Sequence, residues 1–158
     1  MAESDRPDGK EDLPLSQAAQ NLLEECRMVL PGIQALFGFQ LIAVFNDGFA
    51  SKLDRPEQLL HLAAIGLVVV AMALVMTPAA YHRQALPKTV TDHFIGLSSR
   101  LLLWSMFPLA LGIAMDFYLI ANLVTGRQGL AAALAAGLLA LFFALWLALP
   151  WSHRRKRD

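Results

Sequence analysis

An aspartate stands where a chain this apolar has little reason to keep one. Asp116 lies about two-thirds of the way along an apolar run from 100 to 124, among Leu, Ile, Met and Phe side chains. An ionised carboxylate at the centre of a membrane helix costs about 2.5–3.5 kcal/mol, and each surrounding Leu, Ile, Phe or Val returns about 0.3–0.6 kcal/mol. Insertion is therefore feasible, but the carboxyl still needs a partner or a proton. Trp104, Pro108, Gly112 and Asp116 recur every four residues. That spacing places the carboxyl on the face where Gly112 lets another helix come close, so it points into a bundle.

The first apolar segment supplies the complementary groups: Gln34, Gln40, Asn46 and Asp47. Together with Asp116 and Asn122 they bring carboxylates and amides toward one end of the bundle, an oxygen-rich set suited to a hard cation or a proton. Asp47 and Asn122 serve equally well as interfacial helix caps in contact with water. A second group, Tyr81-His82-Arg83, stands where the second segment leaves the membrane after Pro78. Tyr81 suits headgroup depth, Arg83 holds a positive-inside end, and His82 is the group of this motif that a pH-sensing role would use. His61, His82 and His93 show no metal-ligand spacing, and no Ser-His-Asp order, glycine-rich phosphate loop or paired-cysteine motif is present. The lone Cys26 excludes an intrachain disulfide. The expectation is a protein without enzymatic activity, metal or cofactor.

These residues need helices to position them. The chain is 56% hydrophobic and 16% charged, and the charges crowd into residues 1–28, 81–100 and 150–158, which is a membrane distribution and not a soluble one. Four segments, about 31–50, 59–80, 100–124 and 129–149, are each long enough to cross a ~30 Å hydrocarbon core as helices and lack the alternation of a barrel strand. The fold class is all-α: an integral membrane four-helix bundle over 31–152. A short amphipathic interfacial helix (16–30) precedes it, and Pro31-Gly32 marks a bend or fresh start. Residues 1–15, rich in Asp, Glu, Pro and Gly, read as a disordered tail without the positive region of a cleavable signal. Residues 153–158 form a basic cytoplasmic tail.

Ten Lys and Arg fall on the side of the termini and three (Lys52, Arg55, Arg127) on the other, so both termini are expected in the cytoplasm of a bacterial inner membrane. The polar group around Asp116 then belongs to the outer half and Tyr81-His82-Arg83 to the inner face. The basic tail fits an anionic lipid surface better than nucleic acid. In the fourth segment Ala132, Ala136, Ala140, Ala144 and Ala148 repeat every four residues. This small-residue face is expected to pack inside the bundle, with a homo-oligomer interface as its other reading.

Three stretches carry a resemblance: residues 25–39 (ECRMVLPGIQALFGF), 45–49 (FNDGF) and 78–83 (PAAYHR). With the four-helix layout, the chain resembles, over about 22–152, a small bacterial integral membrane family of unknown function. Some relatives in it are labelled sodium/proton antiporters. The resemblance adds weight to Gln34, Tyr81, His82 and Arg83. Two functions stand as expectations. One is a membrane protein acting through helix packing with itself or another membrane protein. The other is a small oligomeric cation- or proton-coupled transporter or channel.

Overall fold

The computed structural model describes residues 14–85 and 91–148. Residues 1–13 of the expected N-terminal tail, the expected basic tail and Lys88 of the inner connection lie outside them, as does the side chain of Ala148, while Leu15, the last residue of the expected tail, already begins a helix. The described chain is helical, with the order α1 (Leu15–Val44), α2 (Gly48–Lys52), α3 (Arg55–Ala85), α4 (Asp92–Thr125) and α5 (Gln128–Phe143), the last continued by a wider π turn (Ala144–Ala148). There is no strand among the described residues. Helices α1, α3, α4 and the α5 stretch Gln128–Trp146 are each long and apolar enough to cross a membrane. The chain is an all-α helical bundle of the membrane type.

One expectation changes at Pro31. Instead of an interfacial helix followed by a membrane helix, α1 runs without interruption through that proline. The reason lies in its buried positions, Ala19, Leu22, Cys26, Ile33 and Gln40. They fall three, four or seven residues apart, a single stripe that does not reset at the proline. Pro31 removes one backbone hydrogen bond, to the carbonyl of Arg27, but both residues are on the exposed side of the helix, where the loss disturbs no packing. Length points the same way. Residues 31–44 make only about 21 Å of helix, so a crossing has to use the turns before Pro31 as well.

The far end of the first segment also differs from the expected limit at residue 50. Helix α1 stops at Val44, and Asn46 Oδ1 accepts a hydrogen bond from Gly48 N at 2.9 Å. This Asx turn starts the short α2. Helix α3 opens with a reciprocal cap: Asp54 Oδ1 accepts from Glu57 N at 3.0 Å, and Asp54 N donates to Glu57 Oε2 at 3.1 Å. Helix α4 is capped by Thr91, whose hydroxyl accepts from Phe94 N. It ends at Gly126, where φ is +63° and a non-glycine residue would be strained.

Helices α3 and α4 form the most extensive interface, α5 packs on α4, and α1 lies against α3 with fewer contacts to α4. Gly112 makes the α3–α4 approach possible, since a Cβ there would stand 3.1 Å from the Ala64 carbonyl oxygen and 3.2 Å from Val68 Cγ2. Leu22, Cys26, Ile33, Val68 and Val75 form the core between α1 and α3. Large apolar side chains such as Phe39, Ile42, Leu62, Val70, Ile120 and Leu141 face outward, the arrangement of a helix bundle solvated by lipid.

The α5 face departs from expectation. Ala131 and Ala135 are the buried residues there, while Ala132, Ala136, Ala140 and Ala144 are exposed. The four-residue ladder thus faces away from α4. A helix held by one neighbour needs only one narrow stripe, and the stripe one position earlier fills it.

Candidate functional site

At the end of the bundle near α2, three helices place polar side chains in contact. Gln40 is in the last turns of α1 and is buried, with 4% of its surface exposed. His61 is in the second turn of α3, and Asp116 is in α4, their side chains 9% and 16% exposed. Gln40 Nε2 donates to Asp116 Oδ2 at 2.6 Å. His61 Nδ1 faces Asp116 Oδ1 at 2.8 Å, and His61 Nε2 faces the backbone carbonyl of Gln40 at 3.1 Å. Phe49 of α2 covers the imidazole, with ring centroids 5.4 Å apart.

Both nitrogens of the histidine ring therefore meet acceptors. A neutral imidazole carries one N–H and leaves the other nitrogen as a lone pair, so satisfying both contacts takes two hydrogens. With one on Nε2, the other would lie in the 2.8 Å gap between Nδ1 and Asp116 Oδ1, as an imidazolium–carboxylate pair or as a neutral imidazole beside a protonated acid. Either form is neutral overall, and a proton moving across one hydrogen bond interconverts them. The remaining acceptor, Gln40 Oε1, is buried without a partner among the described residues, an arrangement that costs about 1–3 kcal/mol where water is excluded.

A second polar rung lies one to two turns further out. Asn122 Nδ2 donates to Glu57 Oε1 at 2.8 Å, so the glutamate that caps α3 also ties it to α4. A groove of about 280 Å³ opens beside the first rung between α1, α2 and α4, walled by Leu36, Phe39, Ala43, Leu119 and Leu123, with Gln40, His61 and Asp116 along one side.

Of the residues expected at the polar site, Gln40 and Asp116 are brought together. Gln34 lies on the exposed face of α1, more than a turn away from Gln40. Asn46 and Asp47 are exposed in the turn before α2, where Asn46 caps the turn and the Asp47 carbonyl accepts from Ser51. At the opposite end, Tyr81 and His82 pack against the fully buried Phe94 at 6.0 and 5.4 Å, while Arg83 is exposed. No three His, Cys, Asp or Glu side chains converge on a metal position among the described residues.

The residue that sequence reasoning missed is His61. A signal for it existed in the hairpin geometry. If α3 and α4 are mirrored about the midpoint of their connection, positions whose numbers sum to about 177 stand level, and 61 pairs with 116. Glu57 with Asn122 and Ala64 with Gly112 obey nearly the same rule.

Comparison with curated proteins and with solved structures finds no match. The sequence model of a family of unknown function, DUF6328, matches residues 13–150, which includes every residue of the cluster. The chain belongs to that family.

Proposed function

We propose that this is a small, non-enzymatic membrane protein that holds a proton at His61–Asp116 and exchanges it for a cation, working as a proton- or cation-coupled transporter or channel. The observation that carries this reading is the pair of acceptors on the two ring nitrogens of a buried histidine. Loss of the shared proton leaves a neutral imidazole and an ionised carboxylate, one unit of negative charge in a low-dielectric setting, with a nitrogen lone pair directed at an oxygen. A monovalent cation entering between Nδ1 and Oδ1 restores neutrality, and Gln40 Oε1, which has no partner among the described residues, is the third ligand atom this reading calls on. One proton leaves for each positive charge that enters. The excess of Lys and Arg on the side of the termini supports a bacterial inner-membrane location with both ends cytoplasmic, which opens the cluster toward the outer half.

The test is flux in proteoliposomes carrying an internal pH dye. An imposed sodium or potassium gradient should drive proton counterflow in the wild type, and Asp116→Asn or His61→Gln should reduce it at least tenfold. Absence of cation-driven proton movement, or flux unchanged by Asp116→Asn, would overturn the proposal.

A second reading, association through α5, is favoured by the outward alanine ladder. Small residues let helix backbones approach in lipid, where the hydrophobic effect provides no drive. A cysteine placed at Ala136 in a Cys26→Ser background should crosslink in native membranes to a second copy or another membrane protein. Recovery of monomer alone would remove this reading.

A further inference from the structure

A groove of about 690 Å³ lies between α1 and α3 at the end of the bundle away from His61. Its walls include Arg27 from α1 and Arg83 from α3. The contact between His61 Nε2 and the Gln40 carbonyl sets the α1–α3 register, in which positions summing to about 101 stand level. Arg27 is then level with residue 74, and Arg83 stands nine residues further out, about 13 Å along the axis. Deeper than Arg27 the groove turns apolar, with Leu30 and Ala73. Glu24 and Glu25 are exposed on α1 and do not line it.

This gradient matches one ligand shape. Two guanidinium groups spaced along the depth of a headgroup layer bind phosphate oxygens through charge-assisted, often bidentate hydrogen bonds. The apolar floor below them suits an acyl chain. His82 adds a ring nitrogen, Nδ1, that has no partner among the described residues. The two arginines make no ion pair with a described residue, where the His61–Asp116 pair is the one present. We infer that this groove binds an anionic phospholipid of the surrounding bilayer, its phosphate between Arg27 and Arg83 and one acyl chain along Leu30 and Ala73. Basic pockets between membrane helices recognise lipid phosphates by the same electrostatics. The site is independent of the His61 cluster and stands whether or not that cluster moves protons.

The experiment is thermal unfolding of the full chain in nanodiscs of phosphatidylcholine alone and of phosphatidylcholine with 30% phosphatidylglycerol. The anionic lipid should raise Tm by about 5 °C. The double variant Arg27→Gln/Arg83→Gln should lose most of that shift while keeping the wild-type Tm in phosphatidylcholine. Replacing the four basic residues at 154–157 with Gln should leave the shift in place, which separates the groove from general attraction of the tail. Equal Tm in the two nanodiscs overturns the proposal, as does a shift that follows the tail substitutions instead of the groove. Reproduction of the shift by inorganic phosphate in phosphatidylcholine discs, or its appearance only after deletion of the acidic residues 2–12, overturns it as well.

Discussion

Helices α3 and α5 are close in apolar character, yet 33% of the most apolar stretch of α3 is buried within the protein and only 11% of that of α5. Helix α3 is held on two sides, by α1 and α4, and carries a polar residue, His61, that bonds to both neighbours. Helix α5 has one neighbour and no polar residue within its apolar face. Hydropathy marks a helix as long and apolar enough to cross a membrane but says nothing about what it touches there. Polar rungs and small residues decide that, and in this chain they are unevenly distributed.

The difference can be broken most forcefully at the rung. His61→Leu removes the partner of Asp116 and strands Gln40, and should lower stability by about 3 kcal/mol. The double variant His61→Leu/Asp116→Leu should recover most of that loss. Reversible unfolding in mixed micelles measures both, and a single variant as stable as wild type would mean that α3 is not anchored by its polar contacts. A smaller effect is expected where α3 and α4 approach most closely. Gly112→Ala pushes a Cβ into the Ala64 carbonyl at 3.1 Å and should cost about 1–2 kcal/mol, with Tm lowered in the same assay. The smallest effect belongs to α5. Ala136→Leu on its exposed face should change the stability of the monomer by less than about 0.5 kcal/mol, while weakening any crosslinked species seen in membranes. A large loss in the monomer would show that the ladder packs inside after all.

Much of the bundle was legible because membrane crossing imposes a length and a composition that a short chain cannot disguise. All four long helices were visible as apolar runs, and the local caps at Asp54 and Gly126 explain where two of them begin or end. Pro31 misled because a proline breaks a helix only when its freed carbonyl and its ring have nowhere to go, and on the exposed face of α1 they have room. The site was half legible. Asp116 and Gln40 stood out as polar groups in apolar runs, but His61 sits near a helix start, where hydropathy treats it as an interfacial residue. Its role follows from the register between helices, a property of pairs of segments that no single segment displays. The exposure of the alanine ladder was hidden for the same reason: two adjacent stripes of α5 are both small, and only the partner helix distinguishes them.

The separation of the polar partners along the chain has a consequence for biosynthesis. Gln40 and Asp116 are 76 residues apart, and His61 lies 21 residues after Gln40. At 5–20 residues per second, α4 follows α1 out of the ribosome by about 4–15 s. During that interval α1 and α3 can meet as a hairpin, and His61 can already bond to the Gln40 carbonyl while its second nitrogen waits for Asp116. The carboxylate can therefore meet a histidine already held against α1 as α4 packs into the bundle.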